Sequence, residues 1–481
     1  MTRYEPVIGL EVHAQIHTQS KMFCGCPVVE DTGDLEPNVY VCPICTAMPG
    51  VLPVVNQRAV EIAIQTGLAL HCDVPPLNRF ARKSYFYPDL PKGYQISQYA
   101  LPIAVDGYLV FEVEGDERRV RIRRAHLEED AGKLYHVDGV TRVDLNRAGV
   151  PLLEIVSEPD MRSADEARAY GEALRDLLVY LDVNSGNMER GVMRFEANVS
   201  VRPAGTEQLG ARHEVKNLNS FRALYDAIVY EIDHQIAVLE DGGQIEQQTM
   251  GWNEGDGVTV PQRGKEFAQD YRYFPEPDIP PLEIRREQVK QLRSQLPELP
   301  REKRTRFVVQ YELSDYDAQL LVDDKHVANY FERVVAAGAD PKKAANWITG
   351  ELFRLMKEAD HPIDQIQISP EELAALITLV ERGTINQSTG KDVLEEMAAT
   401  GRDAQSIVEE RGLAQISDEE RLQEIVIQVV DQNPEQVKEY LSGKEQVVGW
   451  FIGQVMRATR GKANPQLARE MLIRQLETRR G

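Results

Sequence analysis

The chain has no apolar run long enough to cross a bilayer and no secretory hydrophobic region behind Met-Thr-Arg-Tyr-Glu, so no membrane partner and a cytoplasmic address are expected. Cysteine is scarce, five in 481 residues with four of them near the N-terminus, which argues against a disulfide framework. No Gly-x-x-x-x-Gly-Lys-[Ser/Thr] loop and no dinucleotide glycine fingerprint occurs, and this argues against P-loop and Rossmann machinery. Internal repeats and low-complexity tracts are absent. Positive charge is short as well: 55 Lys and Arg face 77 Asp and Glu, a net of −22, which speaks against nucleic acid binding by the body of the protein.

What is present is an ordinary globular composition, 42% hydrophobic and 27% charged, in a chain too long for one core. Strand-like alternation fills the first part and helical periodicity the last, so the expected class is α+β. The boundaries are expected near Leu296-Pro-Glu-Leu-Pro300 and near 405–415, giving domains over 1–294, 295–408 and 409–481. Ser369-Pro-Glu-Glu372 reads as a capping box, and Asn433-Pro434 and Asn464-Pro465 as helix starts. The charge average hides a basic end. From Val447 to Gly481, Arg457, Arg460, Lys462, Arg469, Arg474, Arg479 and Arg480 face only Glu470 and Glu477, a net of 7 − 2 = +5 that suits either a polyanion or a solvated helix surface.

Two features carry chemistry. Cys24-Gly-Cys26 and Cys42-Pro-Ile-Cys45 are paired thiols at the spacing of a closed, structural Zn²⁺ site, while Cys72 is left over as a buried small side chain. Pro151 to Ser157 reads as a strand that places Glu154 between Leu152 and Val156, with Leu153 and Ile155 on the other face. A carboxylate buried there needs a cation, either an Arg such as Arg147 or a metal. Other strands present polar faces too. Val7–Ile16 offers Glu11, His13 and Gln15; Phe195–Arg202 offers Glu196, Asn198, Ser200 and Arg202. Val120–Glu128 is expected to align Val120, Ile122, Arg124, His126 and Glu128 on one face and to run into Glu128-Glu-Asp130, three acids that repel unless a cation sits among them. Lys83 to Gln98, rich in aromatics and proline, is expected to be an ordered loop packed against the body, which composition alone makes a structural loop and which is also a candidate wall for a ligand site. Carboxylates and His without Cys on one sheet face suit Mg²⁺ or Mn²⁺, the ions that accompany nucleotide phosphates.

These residues have a family likeness. Val7-Ile-Gly-Leu-Glu-Val-His13, Tyr85-Phe-Tyr-Pro-Asp89, Tyr94-Gln-Ile-Ser-Gln98, Glu128-Glu-Asp-Ala-Gly-Lys133, Asp144-Leu-Asn-Arg147, Pro151-Leu-Leu-Glu154, Lys216-Asn-Leu-Asn-Ser-Phe221 and Asp270-Tyr-Arg-Tyr-Phe-Pro-Glu-Pro-Asp278 occur in order. In them the chain resembles, over essentially its whole length, the B-subunit family of the aspartyl/glutamyl-tRNA amidotransferases. The resemblance implies a catalytic cradle related to glutamine synthetase with a mainly antiparallel sheet, followed by a helical domain and a small helical tail that touches tRNA. It implies that Glu11, His13, Glu128 and Glu154 surround the Mg²⁺ of a phosphorylation site, and that the zinc site (24–45) supports structure.

On that basis the expected activity is that of a carbon–nitrogen ligase with glutamine as amide donor. ATP phosphorylates the side-chain carboxylate of Asp-tRNA(Asn) or Glu-tRNA(Gln), and ammonia then displaces phosphate. Arg147 and Lys216 are candidates for phosphate contacts, with Asn146, Asn198 and Asn219 as orienting groups, and Arg457, Arg460, Lys462, Arg469 and Arg474 as tRNA contacts. No cysteine sits in a nucleophile setting and no Ser-Lys constellation occurs, so a glutaminase, the A-subunit, must supply ammonia, and a small C-subunit completes a heterotrimer. The alternatives are a noncatalytic tRNA-binding scaffold, which leaves the convergent acids unexplained, and a self-sufficient small-molecule amide ligase, which has no use for a basic tail.

Overall fold

The computed structural model describes residues 3–29, 35–262, 271–414, 419–459 and 463–479. By internal contact it divides into two compact units, 1–299 and 300–481.

The first unit is built on an open eight-stranded sheet. Its strands, in chain order with those of two small accessory sheets, are β1 (Tyr4–Gln15), β2 (Leu77–Ser84), β3 (Tyr94–Leu101), β4 (Ala104–Val113), β5 (Asp116–Glu129), β6 (Lys133–Val137), β7 (Val140–Asp144), β8 (Pro151–Ser157), β9 (Met193–Pro203), β10 (His213–Leu218), β11 (Gln248–Asn253), β12 (Val258–Pro261), β13 (Phe274–Pro275) and β14 (Leu282–Glu283). The large sheet has the order β12-β11-β10-β9-β1-β8-β5-β4 and is antiparallel except between β10 and β11. β2, β3, β13 and β14 form a smaller sheet, and β6 pairs with β7.

One face of the large sheet is apolar because alternate residues of each strand are. Leu10, Val12 and Ala14 of β1, Leu153 and Ile155 of β8, and Phe195, Ala197 and Val199 of β9 are all buried in one core. Three helices close over it: α1 (Gln57–Ala69), α2 (Ala164–Tyr180) and α3 (Phe221–Glu240). Each starts on a side-chain cap, Asn56, Ser163 and Ser220 accepting from the amides of Ala59, Glu166 and Ala223. A Cβ on Gly171 of α2 would stand 3.1 Å from the rings of Phe195 and Phe221, so glycine sets how closely α2 lies on the core. A fourth helix, α4 (Arg286–Ser294), ends the unit.

The sheet departs from simple alternation at one functional point. Val120 and Ile122 are buried in the core, yet so are Ala125 and Leu127, and the register of β5 against β8 shifts between Ile122 and Arg124. The five residues expected on one face are therefore split by a bulge: Val120 and Ile122 face the core, while Arg124, His126 and Glu128 lie on the polar side. An inserted residue exchanges the two faces of a strand, and period-two reading cannot detect it.

The expected loop over Lys83–Gln98 is also revised. Its aromatic and proline-rich part forms a turn between β2 and β3, but Tyr94 onward is a strand, in which Gln95, Ser97 and Tyr99 alternate with Ile96 and Gln98.

The second unit is helical. The Ser369 capping box forms as expected, and Asn464 caps Gln466 and Leu467. Asn433 does not cap; its side chain instead donates to Val429 O of the preceding helix. The last four helices, Glu419–Asp431, Pro434–Leu441, Val447–Ala458 and Pro465–Glu477, share an apolar cluster including Leu422, Val430, Phe451, Val455 and Leu472. Arg457, Arg469 and Arg474 are exposed on these helices; Arg460 and Lys462 lie outside the described residues. No helix among the described residues is long and apolar enough to cross a membrane.

Candidate active site

The polar face of the large sheet gathers its chemistry where β5, β8 and β1 run side by side. Antiparallel pairing sets His13 opposite Glu154 and His126 opposite Glu154, so three side chains from three strands meet on one face. His13 Nε2 lies 3.2 Å and His126 Nε2 3.5 Å from Glu154 Oε2, and His126 Nε2 is 3.2 Å from Glu128 Oε1. The donor atoms of His13, Glu128 and Glu154 all fall within 4.8 Å of one another, a spacing that could hold a metal ion. Glu154 is 6% and Glu128 2% exposed.

Burial alone would raise both carboxyls. For Glu154, His126 and His13 outweigh burial and hold it at about 2; for Glu128, Lys83, His126 and His13 hold it well below the usual range. Burial would likewise lower His13, but the hydrogen bond and charge of Glu154, with Glu196 and Glu128, push it up to about 9. The site is an anionic cluster that keeps a cation among its members.

The question raised by Glu154, guanidinium or metal, is settled against Arg147. That side chain donates to Ala131 O at 2.9 Å and Gly132 O at 2.8 Å, and stands 3.6 Å from Asp130. The three consecutive acids also part company, because successive side chains of an extended chain point in different directions. Glu128 accepts from Ser97 Oγ at 2.6 Å and Gln95 Nε2 at 3.1 Å. Glu129 pairs with Lys92 at 2.5 Å and takes the amide of Ile96; Asp130 binds Gln15, Arg194 and Arg147. Only Glu128 joins the cluster.

A second acidic group lies next to the first across β1, β9 and β10. Glu11, Glu196 and Glu214 bring one oxygen each within 4.8 Å, and Lys216 sits among them, 2.7 Å from Glu196 and 3.1 Å from Glu214. Asn198 donates to Glu11 at 3.0 Å, and its Oδ1 is buried with no hydrogen-bond partner among the described residues. Burial, then Glu154, Glu196 and Glu214, raise the Glu11 carboxyl.

The remaining predicted residues are placed elsewhere. Asn146 is buried and holds the cysteine segment, accepting from the amide of Tyr40 at 2.9 Å and donating to Glu36 O at 2.9 Å. Asn219 is exposed just before the cap of α3. The four thiols of Cys24, Cys26, Cys42 and Cys45 do converge within 4.8 Å, so this cluster could hold a metal. Hydrogen bonding from Cys24 lowers the Cys45 thiol to about 4 against burial, aided by Cys42 and by the charge of buried Lys21. Sequence reading did not single out His126, Lys83, Glu214 or Ser97. His126 and Glu214 were legible as polar members of strands; Lys83 and Ser97 reach the site only because the small sheet folds against β5.

An open, mainly antiparallel sheet with His and carboxylates converging on its polar face, a separate four-thiol cluster, and a helical unit later in the chain define a two-unit α+β protein with candidate metal sites. Family profiles match nearly all of it: one described as the GatB/GatE catalytic domain over residues 6–290, and one described as the GatB domain over 329–476. Proteins named as the B-subunit of aspartyl/glutamyl-tRNA(Asn/Gln) amidotransferase are similar end to end. That of Moorella thermoacetica is 53% identical over 98% of this chain and 100% of its own length, that of Thermodesulfovibrio yellowstonii 50% over 99% and 100%, and that of Myxococcus xanthus 51% over 98% of each. The chain belongs to the B-subunit family of the aspartyl/glutamyl-tRNA(Asn/Gln) amidotransferases.

Proposed function

We propose that this chain is the component of a tRNA-dependent amidotransferase that carries out ATP-dependent activation of the side-chain carboxylate of Asp-tRNA(Asn), Glu-tRNA(Gln) or both, followed by its amidation. The observation that carries the reading is the His13–Glu128–Glu154 cluster. A carboxylate attacking a γ-phosphate brings two anions together, and an anionic cluster catalyses that only with cations bound to it. Nitrogen and oxygen donors without thiol suit Mg²⁺, which His13, Glu128 and Glu154 would hold, with Glu11, Glu196 and Glu214 as a second position. Bound there, the ion supplies neutralisation of phosphate charge.

The chain's own groups do the rest. Ser97 and Gln95 orient Glu128, and His126 orients both carboxylates. Lys83, held in its charged form by Glu128, Tyr273 and Glu154 against burial, faces the cluster as a cation for the transferred group. Lys216 keeps its place as a second phosphate contact, exchanging acid partners for phosphate. The acyl phosphate then needs ammonia along a route sheltered from water, and a partner glutaminase, the A-subunit, with a small C-subunit would deliver it. The cysteine cluster would hold a structural Zn²⁺, and Arg457, Arg469 and Arg474 would meet the tRNA backbone. The division 1–294, 295–408 and 409–481 goes with this reading, the tail being the tRNA-binding part.

The test is amidation with free ammonia in the reconstituted complex. Glu154→Ala or Glu128→Ala should lower ATP-dependent amide formation by about 10²–10³-fold while tRNA affinity survives. Full amidation by both variants would overturn the reading in favour of a tRNA-binding scaffold.

A further inference from the structure

Along β5 the polar row Glu128, His126, Arg124 leads away from the His13–Glu128–Glu154 cluster, and β3 runs beside it with the row Gln95, Ser97, Tyr99. Gln95 and Ser97 bond to Glu128 at one end. At the other end Tyr99 meets Arg124, whose Cζ lies 5.8 Å from the Tyr99 ring centroid. Tyr273, carried in by the short strand β13 against β2, stacks on Tyr99 with centroids 4.1 Å apart and planes 10° from parallel.

Three properties mark this as a site rather than a packing detail. Tyr99 is 49% exposed although it is a large aromatic in a formed stack, so the pair presents a ring surface to solvent. Arg124 makes no ion pair or side-chain hydrogen bond among the described residues, and its Nε is buried without a partner, in a protein where Arg82, Arg121, Arg123 and Arg202 all have carboxylates. The pair is also continuous with the cluster, since Tyr273 lies near enough to Lys83, Glu128 and Glu154 to feel their charges. An open aromatic face beside an unpaired guanidinium complements a base and its phosphate. Four residues of strand, roughly 13 Å, separate Arg124 from Glu128, a span suited to one nucleotide bearing an acyl group.

We propose that Tyr99, Tyr273 and Arg124 bind the 3′-terminal adenosine of the aminoacyl-tRNA, the base extending the tyrosine stack and the terminal phosphate on Arg124, so that the esterified side chain reaches Glu128 and His13. This rests on the activity proposed above. The openness of the stack favours the free end of an RNA over the adenine of ATP.

Two measurements on the full complex test it. The first needs no catalysis: affinity for uncharged tRNA is compared with that for the same tRNA lacking its 3′ adenosine. Removal of the adenosine should weaken binding by about tenfold in the unaltered protein and hardly at all in Tyr99→Ala, whereas Tyr99→Phe should behave like the unaltered protein. The second is steady-state amidation with free ammonia. Tyr99→Ala and Arg124→Ala should raise KM for aminoacyl-tRNA about tenfold with KM for ATP unchanged. A rise confined to KM for ATP would assign the platform to ATP and overturn the proposal; so would equal loss of affinity on adenosine removal in Tyr99→Ala and the unaltered protein. Absence of any ATP-dependent amidation in the unaltered complex would fault the proposed activity instead, leaving the first measurement to decide the subsite. Tyr99 is half exposed, and unchanged thermal unfolding of Tyr99→Phe provides the folding control.

Discussion

Of the candidate metal groups in the first unit, the His13–Glu128–Glu154 cluster and the four-cysteine cluster differ most in how they are held. His13, Glu128 and Glu154 come from three strands, separated by more than a hundred residues between His13 and Glu128, and their positions follow from a sheet that buries a large core on its other face. Hydrogen bonds from Ser97 and Gln95 hold Glu128, and the imidazole of His126 lies against both carboxylates. The four cysteines lie within 22 residues of one another, counted from Cys24 to Cys45, and find mainly each other. The difference teaches that the sheet site is set by the register of distant strands, whereas the thiols are brought together within one short segment that Asn146 and Lys21 tie to the body.

The strongest way to break this contrast is at Glu154. Glu154→Ala should lower ammonia-dependent amidation by about 10²–10³-fold, the scale of removing one electrostatic stabiliser, while far-ultraviolet circular dichroism stays unchanged. A comparable activity loss with unfolding of the sheet would make Glu154 a structural residue. Chelation should act in the opposite sense. Removal of the Zn²⁺ that the cysteine cluster would hold is expected to expose the segment around Cys24 to Cys45 to proteolysis while ammonia-dependent activity falls by less than about tenfold. Loss of activity as large as that of Glu154→Ala would erase the distinction.

A third test uses pH. The folded pKa of His13, about 9, lies above its ordinary 6.5. Without metal, the pair with Glu154 therefore contributes stability that is fully present between about pH 4.5 and 6.5, is lost as pH rises through about 9 with His13, and is lost as pH falls towards about 2 with Glu154. Divalent-ion affinity should run the other way, rising up to about tenfold per pH unit towards 9 as the imidazole proton ceases to compete, a trend calorimetry can follow together with proton release. The smallest effect is expected at Asn146, which joins the segment before β8 to the cysteine segment. Asn146→Ala should cost about 1–3 kcal/mol of local stability, read by hydrogen exchange at Tyr40, with KM for ATP unchanged. A raised KM for ATP would restore Asn146 to the nucleotide site.

Much of the sheet was legible because burial on one face forces alternation. β8 has the bounds expected of it, and the faces of β1 and β9 divide as their sequences indicate. The two faces of β5 were not legible, since the bulge after Ile122 leaves no mark in polarity, and β3 was hidden behind the aromatic turn that precedes it. At the site, Glu154 announced itself as an acid amid aliphatic residues. Arg147 looked like its partner by proximity in sequence, but chain direction sends its guanidinium to Ala131 and Gly132.

By itself the sequence determined which residues must be buried, that Glu154 requires a cation, that four thiols share one site, and, through its motifs, the family. Those are consequences of local composition and of spacing along the chain. Only the tertiary structure decided which cation-binding groups meet: His126 beside Glu154, Ser97 and Lys83 against Glu128, Glu129 and Asp130 turned elsewhere, and Arg124 beside stacked tyrosines with no carboxylate partner among the described residues. Strand order, register and a single bulge set these meetings, and they are fixed by the packing of distant segments.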